Sequence, residues 1–306
     1  MTSHGCRIGR GDRYQGMSEF LQFFFSGLTV GAVYALVALG FTLIYNASDV
    51  VNFAQGEFVM LGGMVTVFAS AAGVPLPVAA LIAVCVAVAV GLLLYWLAIA
   101  PARGASPVSM IIITIGASIL LKGVAQVAFD KQFHKLPSFS SDTPIDVLGA
   151  SIQPQSLWVL GGTAAAVLVL YVFLERTLVG KAVLATSASR LAARLVGINT
   201  ATIMALAFGG SAAIGAIAGI LVTPITLTSY DAGTMMALKG FAAAMLGGMG
   251  NPLGAVVGGL LLGLLETLGA GYISSTYKDG FAFVMILVVL FAMPRGLLGR
   301  RTVDRV

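Results

Sequence analysis

The feature that most constrains this chain is a series of long segments that contain no charged residue. A helix needs about 20 apolar residues to cross a hydrocarbon core of about 30 Å, and several of the segments are that long. Lipid permits only helices or closed barrels, and the segments do not alternate with a period of two residues. The chain is therefore predicted to be an all-α, polytopic transmembrane helix bundle. The charge-free segments are residues 20–48, 58–102, 147–174, 195–230, 240–265 and 280–294.

The composition agrees with a membrane location. Hydrophobic residues make up 58% of the 306 residues and charged residues only 9%, whereas about 25% of the residues of a soluble domain are charged. The 38 glycines allow close approach of helices in a bilayer. In the first segment Gly27, Gly31, Ala35 and Ala38 predict a small-residue face that packs on another helix. Cys85, inside an apolar run, is expected to be a small core residue.

Eight or nine membrane segments are predicted. Residues 236–248 are too short to cross the membrane alone. If either this segment or residues 53–72 dips into the membrane without crossing it, eight segments cross; otherwise nine do. The Asn251–Pro252 dipeptide is predicted to break the helical pattern after residue 248. The expected segments are residues 19–45, 53–72, 78–100, a fourth ending near residue 128, 156–174, 202–222, 236–248, 253–270 and 280–293.

The basic residues set the expected orientation. Three connectors on one side of the bundle carry nine of the 17 lysines and arginines, and the positive-inside rule makes that side cytoplasmic. The C-terminus, residues 301–306, is then a cytoplasmic tail of the transmembrane body, residues 17–300. Residues 1–16 are predicted to be a disordered tail outside the natural protein, whose translation would start at Met17. The nine are Arg103, Arg176, Lys181, Arg190, Arg194, Arg295, Arg300, Arg301 and Arg305.

The loop at residues 175–199 interrupts the apolar pattern with four basic residues. Leu184, Ala188, Leu191 and Leu195 lie at i, i+4, i+7 and i+11, which predicts one amphipathic helix with an apolar face. Such a face favours a docking surface for a partner protein. A solvated connector and a helix that lies on the membrane surface are the alternatives.

Polar residues at membrane depth are the candidates for a translocation path. Asn52, Gln55 and Glu57 lie at the start of the second segment, and Glu57 and Glu266 are the two deep carboxylates. Ionisable residues inside a membrane are usually functional. The alternative is that Glu57 complements the dipole of a helix start while Asp49 lies in a loop. The sequence MLGGM occurs at residues 60–64 and 245–249, and paired glycine-interrupted segments are typical of transporters.

Sequence motifs for catalysis and for cofactors are missing. The chain has no P-loop, no HExxH, no clustered Cys/His metal site and no GxSxG elbow. We therefore predict no catalytic residue, no metal and no cofactor, and no nucleic acid partner. Energy, if the protein uses any, must come from elsewhere.

Four segments of the chain carry a family resemblance. They are GLTVGAVYALVALGFTLIYNASDVVNFAQGE, GKAVLATSASRLAARLVGINT, MLGGMGNPLGAVVGGLLLGLLE and AGYISSTYKDGFAFVMILVVLFAMPRGLLG. The most specific elements are NFAQGE at residues 52–57, and YKD at residues 277–279 followed by MPRGLLG at residues 293–299. Together the segments resemble the LivH-type permease subunit of bacterial branched-chain amino acid ABC transporters, and the resemblance covers nearly all of residues 17–300.

The resemblance implies a multi-pass permease of the bacterial inner membrane, surrounded by lipid, that imports branched-chain or related small aliphatic amino acids. Its implied partners are a second homologous permease, two cytoplasmic ABC ATPase subunits that hydrolyse the ATP, and a periplasmic substrate-binding protein. Transport by alternating access is expected, with specificity set largely by the binding protein. A permease for urea or short-chain amides, an ion-coupled secondary transporter and a membrane-embedded enzyme are the alternatives.

The loop at residues 175–199 then resembles the EAA-type loop by which importer permeases engage their ATPases. Leu191 stands where the glutamate of that motif falls, so the apolar contacts are expected to persist without the acidic one. The positions implied for ATPase docking are Gly180, Ala185, Arg190, Leu191, Ala193, Arg194, Leu195 and Gly197.

Overall fold

The computed structural model describes residues 10–102, 104–140, 143–147, 149–276, 278–292 and 296–299. Within these ranges the chain forms eleven α-helices, a π-helical segment and one β-hairpin. The α-helices are α1 (Arg10–Ser48), α2 (Gln55–Ala71), α3 (Leu76–Leu94), α4 (Pro107–Phe129), α5 (Pro154–Arg176), α6 (Leu178–Ala188), α7 (Arg190–Leu195), α8 (Thr200–Thr226), α9 (Ala232–Gly247), α10 (Pro252–Tyr272) and α11 (Lys278–Ala292). The π-helical segment Tyr95–Ile99 extends α3, and the hairpin pairs β1 (Ile145–Val147) with β2 (Ala150–Ile152).

The predicted all-α membrane bundle is confirmed at the level of fold class. In the described chain six helices are long and apolar enough to cross a membrane, namely α1, α3, α4, α5, α8 and α10. The shorter apolar helices α2, α9 and α11 lie where the sequence places the remaining segments. The count of eight or nine crossings stays a prediction, because a 17-residue helix such as α2 spans only about 25 Å.

Helices α1 and α8 form the centre of the bundle. Of their most apolar windows, 89% and 78% of the residues are buried, against 17% for α4 and for α5. Helices α4 and α5 therefore lie at the periphery and present apolar side chains outward. Cys85 on α3 is exposed, so the expectation that it belongs to the core is wrong: the buried face of α3 is the row Ala79, Ala83, Ala87 and Gly91.

The small-residue face of α1 packs on α10, as predicted. A Cβ added to Gly27 would lie 3.0 Å from Cα of Leu264, and one added to Gly31 would lie 2.8 Å from Cα of Leu260. Gly259 and Gly263 of α10 meet Ala35 and Gly31 in the same way. The two backbones are in direct contact because neither helix carries a bulky side chain there.

Side-chain caps and prolines set several helix starts. Oδ1 of Asn251 accepts hydrogen bonds from the backbone N–H groups of Leu253 and Gly254, and Pro252 occupies the first helical position of α10. Proline is suited to that position because its missing N–H would have no partner within the helix. The predicted break at Asn251–Pro252 is confirmed. Asn199 caps α8 with two similar bonds.

The bundle has two distinct ends. At the loop end, helices α6 and α7 lie beside the start of α8, and Leu297 and Leu298 donate backbone hydrogen bonds to Leu246 and Gly247. At the hairpin end, β1 and β2 pair antiparallel, and His134 forms an isolated β-bridge with Thr228. The hairpin was not predicted from the sequence.

Parts of the two predicted tails, at the N-terminus and the C-terminus, lie outside the described residues. Helix α1 begins at Arg10, so residues 10–16 are helical, whereas residues 1–9 and 301–306 lie outside the described residues. Arg103, Tyr277 and residues 293–295, which also entered the sequence predictions, are likewise outside them.

Candidate functional site

The N-termini of α2 and α9 meet at the buried residues Gly56, Glu57 and Gly233, while Asp231, which precedes α9, is exposed. Glu57, in the first turn of α2, accepts a hydrogen bond from Ser118, the residue at the centre of α4. Gly56 and Gly233 are in backbone contact, so a Cβ on Gly233 would lie 2.6 Å from the carbonyl oxygen of Gly56. Two helices that run toward opposite ends therefore begin at the same depth. We call residues 52–57 and 231–234 the helix junction.

Two of the three predicted path residues have structural partners at the junction. Gln55 donates from Nε2 to the backbone carbonyl of Ser211 at 3.2 Å, and its Oε1 accepts from the Ser211 hydroxyl. Oδ1 of Asn52 accepts from the backbone N–H of Ala54 at 3.1 Å. Gln55 therefore ties α2 to the middle of α8, and both of its amide atoms are occupied.

Glu57 is the third predicted path residue and has one occupied oxygen. It is fully buried, and its Oε1 accepts the Ser118 hydroxyl bond at 2.8 Å. Its Oε2 has no hydrogen-bond partner within the described residues, and neither do Nδ2 of Asn52 and Oγ1 of Thr234. Lys122 and Asp231 carry the nearby charges. Glu57 lies both in the first turn of a helix and deep inside the bundle, and the sequence analysis considered each of these positions.

A second group of charges, of which Lys239 and Glu266 are buried, links α1, α9, α10 and α11. Nζ of Lys239 lies 2.9 Å from Oε1 of Glu266 and 2.6 Å from Oδ1 of Asp279. Nζ of Lys278 lies 3.4 Å from Oε1 of Glu266, and the Tyr34 hydroxyl donates to Oε2 of Glu266 at 2.9 Å. We call these five residues the charge cluster. It holds two lysines and two carboxylates, so its charges balance.

Sequence reasoning found Glu266 but missed Lys239, which is 7% exposed. A lysine inside the apolar segment 236–248 was itself a signal, because intramembrane ionisable residues are rare and have partners. The partner could not be read from the sequence, since Lys239 and Glu266 are 27 positions apart and Tyr34 and Glu266 are 232 apart.

The loop at residues 175–199 forms two short helices and not one. Ser189 has an extended backbone between α6 and α7, and its side chain accepts a hydrogen bond from the N–H of Ala192 as the cap of α7. The predicted continuous face from Leu184 to Leu195 is therefore wrong. The physical reason is that serine competes for backbone groups and favours a helix start over a helix interior.

The predicted docking positions separate into exposed and buried residues. Leu191 and Leu195 are 71% and 80% exposed, whereas Ala193 is 2% exposed. Ala185 is also exposed and Gly180 is buried. Val196, which the sequence analysis did not single out, is 77% exposed. Together Leu191, Leu195 and Val196 form an apolar patch on α7 and its C-terminus.

The two glycines of this loop have different structural roles. A Cβ on Gly180 would clash with the backbone of Phe173 and Leu174, so Gly180 lets α6 pack on the end of α5. Gly197 has a φ of +87° and follows α7, and the N–H of Ile198 donates to the carbonyl of Ala193 at 2.9 Å. This is a Schellman ending, which requires a left-handed residue at the Gly197 position.

The two arginines of the loop contact the bundle. Nη2 of Arg190 lies 2.9 Å from Oδ2 of Asp49, and Nε of Arg194 donates to Oγ1 of Thr200 at 3.0 Å. Both arginines line a cavity of about 310 Å³ between α7, α8 and the loop before α4. They hold α7 against the bundle while its leucines face outward.

No group of three His, Cys, Asp or Glu that could hold a metal ion occurs in the described part of the chain.

The chain was compared with known protein families and proteins. Residues 23–290 match the family model described as "Branched-chain amino acid transport system / permease component". The high-affinity branched-chain amino acid transport system permease protein LivH of Escherichia coli K12 is 35% identical over 304 residues, which is 94% of this chain and 98% of LivH. The Salmonella typhimurium LivH is 36% identical with the same coverage of both chains. The BraD permease of Pseudomonas aeruginosa is 33% identical over 94% of this chain and 98% of BraD.

Proposed function

We propose a function from one premise, which is that the chain belongs to the branched-chain amino acid transport system permease family. It is an importer permease with the fold of a multi-pass membrane bundle. We propose that it moves branched-chain or related small aliphatic amino acids across the bacterial inner membrane. In this proposal it carries no catalytic activity of its own, and two cytoplasmic ABC ATPases supply the energy.

One observation carries the proposal: the family match at residues 23–290 takes in nearly the whole described bundle. It includes the helix junction, the charge cluster and the loop at residues 175–199. The exposed apolar faces of α4 and α5 are available to lipid and to the second permease, while a periplasmic binding protein would deliver the substrate at the hairpin end.

The loop end is proposed to be cytoplasmic, with the C-terminus on the same side. Arg176, Lys181, Arg190 and Arg194 lie there, and basic residues collect in cytoplasmic loops. With α2, α9 and α11 counted as crossings, nine segments place the start of α1 on the opposite side. The domain boundary at Met17 and the cytoplasmic tail at residues 301–306 belong to the same proposal.

The patch formed by Leu191, Leu195 and Val196 is the proposed contact with an ATPase. Exposed apolar side chains on a short helix can fill a groove of a partner, and these three are at least 71% exposed. Gly180, Ala193 and Gly197 shape the two helices, and Arg190 and Arg194 fix α7 on the bundle. Ala185 lies exposed on α6 beside the patch.

Uptake of labelled leucine into proteoliposomes that contain the complete transporter tests the proposal. We expect uptake to depend on ATP and to vanish when the catalytic residues of the ATPases are inactivated. Uptake that survives inactivation but collapses with an ionophore would instead identify an ion-coupled carrier. Uptake of urea or acetamide in place of leucine would show that the proposed substrate class is wrong.

The docking patch has a separate test with a matched control. Leu191→Asp is expected to abolish ATPase binding and uptake, since it places a charge in an apolar contact, whereas Leu191→Met is expected to keep both. Because Leu191 is exposed, we expect the permease without its ATPases to fold normally with either substitution. Wild-type uptake and co-purification of the ATPases with Leu191→Asp would rule out this surface.

A further inference from the structure

We propose that the helix junction binds the charged head group of an α-amino acid, with the ammonium group at Glu57 and the carboxylate group at the N-termini of α2 and α9. The inference rests on the proposed function and names the chemistry by which this subunit holds its substrate during passage. A site of this kind would also discriminate amino acids from urea and amides, which carry no charge.

The first argument is the set of buried polar atoms that have no partner. Glu57 is 0% exposed and Asn52 is 1% exposed, yet Oε2 of Glu57 and Nδ2 of Asn52 form no hydrogen bond within the chain that the structure describes. Such atoms are costly because burial removes their hydrogen bonds to water. Oε2 is an acceptor and Nδ2 is a donor, so together they match the two ends of a zwitterion.

The second argument is the position of these atoms. Glu57 lies in the first turn of α2, and a Cβ on Gly233 would lie 2.8 Å from its Oε2, which places that oxygen against the first turn of α9. Thr234, whose Oγ1 is also without a partner in the described chain, is the next residue. Oδ1 of Asn52 accepts from the backbone N–H of Ala54, the residue that precedes α2, so Asn52 and its Nδ2 belong to the same junction.

The third argument is electrostatic. Each helix N-terminus carries a partial charge of about +0.5, and neither Ala54 nor Asp231 provides a side-chain cap for the helix that it precedes. Helices that begin at mid-depth with N-termini directed at an anionic substrate group are a recurring arrangement in transporters. The carboxylates of Glu57 and of Asp231, the residue before α9, add negative charge beside them. A zwitterion satisfies both signs, whereas a neutral amide satisfies neither fully.

The junction is closed in this structure. Gly56 and Gly233 are in backbone contact, and a Cβ at Gly56 would clash with the carbonyl oxygen of Gly233 and with Ala237. Substrate binding therefore requires α2 and α9 to separate. Two glycines form this backbone contact, and the rings of Phe53 and Phe241, whose centroids are 5.6 Å apart, would have to part as well.

The test uses the complete transporter in proteoliposomes, with binding protein loaded with labelled leucine. Glu57→Gln keeps the size of the side chain and an acceptor for Ser118 but removes the charge. We expect uptake to fall at least about tenfold, the effect of losing one hydrogen bond to a charged group. ATP hydrolysis stimulated by the loaded binding protein should stay within about twofold of wild type, since the docking patch is unchanged.

Equal uptake by Glu57→Gln and wild type would overturn the inference while leaving the proposed function intact. Failure of the wild type to take up leucine with ATP would overturn both. Loss of uptake together with loss of stimulated ATP hydrolysis in an assembled complex would show that Glu57 acts on the structure and not on the substrate.

A second pair of variants decides the matter if Glu57→Gln does not assemble. Thr234→Val and Thr267→Val each remove a buried hydroxyl that has no partner within the described residues, but only Thr234 lies at the junction. Thr234→Val is expected to lower uptake about threefold, and Thr267→Val is expected to leave it unchanged. Equal effects of the two variants would overturn the inference.

Discussion

Two fully buried glutamates in this bundle have opposite surroundings. Glu266 has both oxygens occupied, by Tyr34 on one side and by Lys239 and Lys278 on the other. Glu57 has one neutral partner, Ser118, and an oxygen without a partner in the described chain. Both residues are 0% exposed, so burial alone does not distinguish them.

The difference indicates which carboxylate is structural. A buried charge is tolerated when an opposite charge and hydrogen bonds compensate its lost hydration, and Glu266 has all of these from the chain itself. Glu57 lacks an equivalent partner, which is the arrangement of a group that receives its partner from outside. The charge cluster therefore fixes α11 and α9 to the bundle, whereas the helix junction is available for a ligand.

The largest expected effect on stability is at Lys239. Lys239→Ala leaves Glu266 buried with only Lys278, at 3.4 Å, as its cation. Removing one partner of a buried ion pair lowers the free energy of unfolding by about 3–5 kcal/mol. We expect the lower value here, because Lys278 still compensates part of the charge of Glu266. We expect the apparent melting temperature of the detergent-purified permease to fall by about 6 °C or more. A change within error of wild type would mean that the cluster is not structural.

The control for Lys239 removes both charges at once. Lys239→Met combined with Glu266→Gln leaves no buried charge without a partner at that position, so most of the lost stability should return. We expect the double variant to lie within about 1 kcal/mol of wild type. Additive losses would show that packing, and not charge balance, is responsible.

A smaller effect is expected at Asp279, the outer carboxylate of the same cluster. Its side chain is 55% exposed, so water screens its interaction with Lys239 and Glu266 still compensates that lysine. Asp279→Asn is expected to cost at most about 1 kcal/mol, measured in the same melting assay. A loss as large as that of Lys239→Ala would contradict the assignment of Glu266 as the main partner.

A hydrogen-bonded pair at the hairpin end, His134 and Asp130, provides the reference for a carboxylate outside the membrane-spanning segments. The Gln132 backbone N–H and then His134 donate to Asp130 and lower the pKa of its carboxyl group from its ordinary value of 3.8. A lowered pKa in the folded state stabilises the fold above the ordinary value, and the contribution disappears as the pH falls through the folded value. Comparison of wild type with Asp130→Asn should therefore show a small stability difference at neutral pH that disappears as the pH falls through the lowered pKa of Asp130. A difference that grows on acidification would contradict the assignment.

The smallest expected effect on stability is at Glu57. Glu57→Gln removes a charge that has no cation within hydrogen-bonding distance in the described chain, so the melting temperature should stay equal to that of wild type or rise slightly. Destabilisation as large as that of Lys239→Ala would mean that Glu57 has a structural partner. The contrast between these two variants is the sharpest test of the comparison.

Several elements of the fold were predictable from local sequence. The charge-free segments predicted the membrane helices, and the Asn251–Pro252 dipeptide predicted the start of α10. Gly27, Gly31 and Ala35 predicted the face of α1 that packs on α10. Each of these follows from a few neighbouring residues, because helix length, caps and small-residue spacing are local properties. The hairpin end was not predicted, since three-residue strands carry little periodicity.

The candidate site was only partly predictable. Asn52, Gln55 and Glu57 lie together at the helix junction, but their surroundings differ: Gln55 is bound to Ser211, whereas Glu57 keeps an oxygen without a partner among the described residues. In the loop at residues 175–199 the heptad-like spacing favoured one helix, and the Ser189 cap divided it into two. Hydrogen-bonding competition at a single residue outweighed the hydrophobic pattern.

The sequence by itself determined that this chain enters a membrane, where its helices lie and which family it resembles, because these depend on composition, segment length and motifs. Only the tertiary structure decided that α2 and α9 begin beside each other at mid-depth, and that Lys239 neutralises Glu266 while Glu57 has no equivalent cation. These facts depend on contacts between residues far apart in the chain. A carboxylate has the same appearance in a sequence whether it is compensated or not, and its surroundings decide between a structural and a functional role.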